Sequence, residues 1–364
     1  MDSALFWEMF IKALILVFVL LTGFAYLTYY ERRGLARIQS RVGPNRAGPA
    51  GLLQPVADAV KLIFKEELIP EQAYKAVFIL APILTVVPAI LITATVPWGG
   101  TLMVGGREIS LVIADINVGV IYIMSVASIA VYGVVLGGWS SNNKYAMLGG
   151  MRASAQMVSY ELALGLSFVV AVLLANTMNM GDIVKAQMEG GWFVLWQPVG
   201  AIVFFVATLA ELNRAPFDMP EAEQELSAGF NAEYSGMKFA LFFMAEYTKM
   251  ISISAIIATL FLGGYHGPFV EQVPLLGPLY MFLKIFVLLG LMIWIRASWP
   301  RLRYDRLMAF GWKILLPLSL SLVFITATGI LLEMMWLVPL LSIVAGYIAV
   351  QSVNLSLRRK KNAR

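Results

Sequence analysis

Apolar residues in this chain fall in long blocks. A block of about 20 such residues is what a helix needs to cross the hydrocarbon core of a bilayer. The blocks run end to end along the 364 residues. With 60% hydrophobic and 13% charged residues, too little polar surface is left to clothe a water-soluble globule, whose charged share is about 25%. The pattern predicts an all-α, polytopic transmembrane protein. Its nine spans are expected near 6–30, 76–97, 117–138, 154–175, 194–212, 238–262, 278–299, 312–333 and 336–355. The first block, Leu5 to Tyr30, lacks a basic start and a small-residue cleavage site, and reads as a retained helix.

Arginine and lysine divide the loops into two sets. Loops 31–75, 139–153, 213–237, 300–311 and the tail after 355 hold nearly all of them, whereas the opposite loops hold only Arg107 and Lys185. By the positive-inside rule the basic side is expected to be cytoplasmic, with the N-terminus outside and the C-terminus inside. The net charge of +5 is then a topological signal. It does not suggest a nucleic-acid surface, which would want a basic patch on a soluble face with base-stacking aromatics.

The chain has no cysteine, so it offers no disulfide, thiolate metal site or iron–sulfur ligand. Its one histidine, His266, sits in the Gly/Pro-rich string GGYHGP. It cannot form a bis-histidine haem site and reads as a solvated loop residue. No phosphate loop or dinucleotide fingerprint occurs. Any redox chemistry served here is expected to draw its electrons from another chain, with no metal or covalent cofactor on this one.

Three stretches carry chemistry. After the GPNRAGPAG breaker, Leu52, Leu53, Val56, Val60, Ile63 and Phe64 recur at helical spacing, with Gln54, Asp58, Lys61 and Lys65 on a polar stripe. This predicts an amphipathic helix at the membrane surface between the first two spans, either a simple anchor or the roof of an opening from lipid. Between Glu211 and Glu233 lie six acids, Glu211, Asp218, Glu221, Glu223, Glu225 and Glu233, opposed only by Arg214. A solvated acidic loop is one reading. Placement among aromatics and prolines favours another, mutually repelling carboxylates some of which hold protons. Glu161 and Glu246 lie about two turns inside their spans, where a bare charge costs several kcal/mol and ionisable groups usually serve transport. The structural alternative is a helix–helix hydrogen bond, or a Glu246–Lys249 pair.

Four strings together resemble one family. They are ERRGLARIQSRVGPNRAGPAGLLQPVADAVKLIFKE, GGWSSNNKYAMLGGMRASAQMVSYE, NRAPFDMPEAEQELSAGFNAEYSGMKFALFFMAEY and IRASWPRLRYDRLMAFGWK. In order and position they are similar to the complex I membrane subunit known in mitochondria as NADH dehydrogenase subunit 1, the counterpart of the bacterial H-type subunit. The resemblance implies a bacterial inner-membrane component of a proton-translocating NADH:quinone oxidoreductase, with quinone as substrate and flavin and iron–sulfur clusters on partner chains. It implies hydrophilic quinone-site and iron–sulfur subunits, small membrane subunits and antiporter-like subunits as neighbours.

Carried over residue by residue, the family's buried acid path matches Glu161, Glu211, Glu233 and Glu246. Its acidic loop under the quinone cavity matches Asp218, Glu221, Glu223 and Glu225. Its tunnel and mouth match Glu31, Arg32, Arg41, Asp58, Lys61, Arg214 and Arg296. Two departures stand out. Ser128 occupies a place where some relatives carry an acid. The chain also continues past Glu333, so that a family core of eight spans over 1–333 is followed by a ninth span and basic tail over 334–364. The rival readings are the membrane anchor of an energy-converting hydrogenase and a stand-alone ion transporter. The second would want inverted repeats with paired broken helices, and no such repeat is visible.

Overall fold

With no water in the bilayer core, each spanning segment must pair its own backbone N–H and C=O groups, and helices do this along their whole length. A computed structural model describes residues 3–104, 107–218 and 229–362. Its helices are α1 (Ser3–Ile38), α2 (Gln54–Ile63), α3 (Lys75–Leu91), α4 (Gly119–Ser140), α5 (Lys144–Ala175), α6 (Met180–Gly190) and α7 (Phe193–Trp196). They continue with α8 (Pro198–Glu211), α9 (Gly236–Phe261), α10 (Leu276–Ser298), α11 (Tyr304–Phe310), α12 (Leu316–Leu331) and α13 (Val338–Asn362). α11 runs into α12 through a π turn over Gly311–Leu315.

Among the described residues, seven helices are long and apolar enough to cross a membrane, and two shorter apolar helices, Pro198–Glu211 and Met335–Gln351, stand at the places of the fifth and ninth expected spans. The fifth is short because the chain breaks at Gln197 (φ −137°, ψ 67°) just before Pro198, dividing the stretch into α7 and α8. Gln197 is buried and donates from Nε2 to Thr326 Oγ1 at 2.8 Å. A polar partner on α12 thus serves the buried side chain at the break.

Several boundaries differ from expectation. α1 does not end near residue 30 but runs to Ile38, because the described chain meets no proline and no left-handed residue before Ser40 (φ 54°). At 36 residues it is about 54 Å long, so Glu31, Arg32 and Arg33 are carried on a rigid extension rather than in a loop. Most of the loop expected at 139–153 is instead the start of α5. Asn143 caps that helix by accepting the Tyr145 N–H at 2.9 Å. On the face opposite the basic loops lies a small antiparallel hairpin, β1 (Thr101–Val104) and β2 (Arg107–Ser110), with Leu102 opposite Ile109.

α9 is the hub. Its most apolar window is 72% buried, against 11% for α1, and it packs against α3, α1 and α10. Helices in lipid associate by close packing rather than by the hydrophobic effect, so small residues mark the tight crossings. At Gly133 of α4 an added Cβ would come within 2.8 Å of the Ala81 carbonyl oxygen and 2.5 Å of Thr85 on α3. α9 ends at Gly263 and Gly264, both left-handed, with the Gly264 N–H returning to Ala258 O at 2.8 Å. Lys284 of α10 then donates to the Leu262, Gly264 and His266 carbonyls at 2.7, 2.7 and 2.8 Å.

Candidate functional site: a buried string of carboxylates and cations

The centre of the polar interior is set by a turn. After α8, Asn213 adopts a left-handed conformation (φ 51°), which asparagine tolerates. The Arg214 N–H bonds Leu209 O, and Phe217 N–H bonds Arg214 O at 2.8 Å. Gln156 of α5 clamps both ends of this turn, its Nε2 donating to Ala210 O at 2.7 Å and Phe217 O at 2.9 Å. Arg214 is thereby held inside the bundle, 6% exposed.

Its guanidinium meets Glu31 of α1 at 3.1 Å and Glu246 of α9 at 2.6 Å, the second an ion pair in which the Nε–H is not aligned on the carboxylate. It also lies 4.3 Å over the Tyr247 ring. Glu31, 2% exposed, is shared with Arg296 of α10, which contacts the same carboxylate oxygen. Burial works against the charge on Arg214, but the Glu246 and Glu31 carboxylates outweigh it and hold the guanidinium above its ordinary value. Two carboxylates and two guanidinium groups make a charge-balanced cluster. Stripping charges of water costs several kcal/mol each, and only mutual pairing offsets it.

From Glu246 the polar groups continue inward. A cavity of about 50 Å³ is lined by Glu246, Lys249, Glu211, Thr85, Asn213 and Asn231 among apolar residues. A second, about 20 Å³, is lined by Glu211, Lys249, Glu161 and Thr208. Glu211 and Lys249 belong to both. A water needs roughly 10–15 Å³ of such space, so each cavity has room for at least one. At the far end Ser128 of α4 is hydrogen-bonded to Glu161. Glu246 is paired with Arg214, while Lys249, one turn further along α9, lines both cavities with Glu211 and the smaller one also with Glu161.

The other expected site residues fall in three places. Arg32 on α1 bonds Asp58 on α2 at 2.6 Å, with Lys61 at 3.8 Å from Asp58 and Gln54 at 3.3 Å. This pairing ties α2 to α1, and Tyr29 Oη donating to Ala50 O at 2.7 Å ties down the turn before it, leaving Val56, Val60, Ile63 and Phe64 exposed. Arg41 bonds only its near neighbour Gln39, at 2.7 Å, among the described contacts. Asp218 accepts from Arg301 at 2.7 Å; burial pushes its carboxyl above the ordinary value, and Arg301 only partly opposes this. Glu233 accepts from Asn143 Nδ2 at 2.6 Å and lines a surface depression with Pro70, Gln72 and Lys144. It touches neither inner cavity. Glu221, Glu223 and Glu225 lie outside the described residues.

Lys249, Gln156, Tyr247 and Arg301 were not singled out as site residues by sequence. Gln156 and Lys249 did carry a signal, each being a polar group in an otherwise apolar span. Arg301 did not, because snorkelling and topology explain an arginine at a span end equally well.

Comparison with known proteins bears on this geometry. The family model described as NADH dehydrogenase matches residues 11–327. The chain is 49% identical over 346 residues to the second H-type subunit of NADH-quinone oxidoreductase from Geobacter metallireducens, covering 92% of this chain and 98% of the relative. It is 51% identical over 316 residues to the corresponding protein of Geobacter sulfurreducens (86% and 94%) and 47% identical over 327 residues to that of Thermomicrobium roseum (86% and 94%). On a match of this extent, the chain belongs to the NADH dehydrogenase family.

Proposed function

We propose that this chain is the membrane subunit of an NADH-quinone oxidoreductase, that it forms part of the quinone tunnel, and that it carries the first carboxylates of the path coupling quinone reduction to proton movement. The observation that carries the reading is a series of ionisable groups inside an apolar bundle: Arg296, Glu31, Arg214 and Glu246 joined by ion pairs, then Lys249, Glu211 and Glu161 lining two adjoining cavities. Idle charges in such a place would be costly.

Electrons reach the quinone from flavin and iron–sulfur centres on partner chains. The quinone approaches along the face where Arg32, Asp58 and Lys61 join α1 to α2, and the exposed apolar side of α2 meets lipid or the quinone tail. Arg41 and Asp218 border the same basic face, which lies in the cytoplasm, with the N-terminus outside; Glu221, Glu223 and Glu225 serve with Asp218 as the acidic loop of the quinone site. Negative charge developing on the quinone attracts Arg296. Glu31, losing half of its counter-charge, then leans on Arg214, whose hold on Glu246 weakens. Glu246 takes up a proton in response, and the shift passes through the two cavities to Glu211 and Glu161. Glu233, at the rim, is an access point for protons rather than a link in the inner run. Residues 334–364 add an anchor outside the reaction path.

Exchanging Glu246 for glutamine in the assembled complex tests this. Quinone reduction should fall while NADH oxidation by a soluble acceptor, which bypasses the membrane, stays normal. An unchanged quinone rate overturns the proposal.

A further inference from the structure

Proton count is set by charge balance in a closed space. Glu161 from α5, Glu211 from α8 and Lys249 from α9 line the 20 Å³ cavity, and the remaining lining residues, from α4 and the other helices, carry no charge. The neighbouring cluster of Glu31, Glu246, Arg214 and Arg296 is balanced within itself. From α3, Thr85 is the polar group facing the adjoining cavity. With Lys249 as ammonium, the group of three is neutral when the two carboxylates together hold one proton. Unpaired charge in this apolar setting is strongly disfavoured.

We propose that Lys249 is a positioning residue that fixes the Glu161–Glu211 pair at one shared proton, keeping one carboxyl loaded and the other able to accept. This rests on the reading of that pair as part of the proton path and deepens it. The step is a proton hop. An O–H bond breaks on one carboxyl and forms on the other, directly or through a water in the cavity, and the net charge of the three groups stays at zero throughout. Lys249 itself neither gains nor loses a proton. Remove its charge and the pair fills with two protons, leaving no acceptor and blocking the hop.

Ser128 is built to follow the shared proton. Its hydroxyl has one hydrogen, and it stands within bonding reach of both Met124 O, at 3.0 Å, and Glu161. When Glu161 is a carboxylate, Ser128 donates to it. When Glu161 holds the proton, Glu161 donates to Ser128 and the hydroxyl turns back to Met124 O. A serine thus satisfies Glu161 in either state without adding a charge that would alter the count.

The test uses infrared difference spectra of the assembled complex in its membrane, reading protonated carboxyl per complex, and it does not depend on pumping. Glu161→Gln, Glu211→Gln and the double variant should each lose the same single carboxyl signal, because either lone glutamate is ionised by Lys249. In a Lys249→Met background the double variant should lose twice what each single variant loses. The pH at which quinone-linked turnover is half-maximal should move alkaline by at least about one unit, roughly a tenfold loss near neutral pH. Lys249→Arg, which keeps the charge, should restore the pH profile to its original position. A twofold loss in the double variant with Lys249 present, or no loss in any variant, overturns the proposal, and the glutamine variants decide it even if Lys249→Met fails to assemble. Turnover unaffected by Glu161→Gln would instead count against the path reading and leave the proton count standing.

Discussion

Glu31 on α1 and Arg214 in the turn after α8 are 183 residues apart in sequence and meet at 3.1 Å, both almost fully buried. Arg214→Met leaves two carboxylates, Glu31 and Glu246, with Arg296 as their remaining cation. Breaking a buried pair from one side costs about 3–5 kcal/mol. The variant should show less assembled complex and a lower midpoint of thermal inactivation. Arg296→Met should cost less, since its side chain is 36% exposed and water shares its charge. Equal effects would mean that burial does not set the strength of this cluster.

A photoreactive quinone analogue added to the purified complex should label the segment 31–75, where Arg32, Asp58 and Lys61 join α1 and α2. Labelling confined to the hairpin and the loops on its face would place the quinone elsewhere and remove the tunnel assignment.

Reporter fusions at Lys185, on α6, and at Arg364 should report opposite sides of the membrane, with Arg364 cytoplasmic. A cytoplasmic signal at Lys185 would reverse the orientation drawn from the arginine and lysine distribution.

Much of this architecture was legible beforehand, for a physical reason. A bilayer demands long apolar helices, so hydropathy alone marks the seven long and two shorter apolar helices found among the described residues. Pro198 marks the break at Gln197, but the buried partner of the Gln197 side chain, Thr326, lies 129 residues away and was not legible. The extension of α1 to Ile38 was missed because arginines read as a loop once the apolar run ends. At the site, Glu161 and Glu246 stood out as acids in apolar helices. Their partners did not, since pairing is tertiary: Lys249 is the neighbour of Glu246 in sequence, yet Arg214 is its partner in space. Glu233 looked equivalent to the other three acids along the chain, and only the fold separates it, at the rim beside Asn143.

The central claim is that buried carboxylates on this chain link quinone chemistry to proton movement, and Glu161→Gln measures it most directly. Glutamine keeps the shape and hydrogen-bonding capacity of the side chain but cannot release a proton, so Ser128 retains a partner and the complex should assemble in normal amount. Quinone reduction and quinone-linked proton uptake, both expressed per assembled complex, should fall together by about tenfold or more, a loss of roughly 1.4 kcal/mol or more in the coupled step. NADH oxidation by a soluble acceptor should remain normal. Reduced assembly with unchanged turnover per complex would show that Glu161 is a packing residue and would contradict the account.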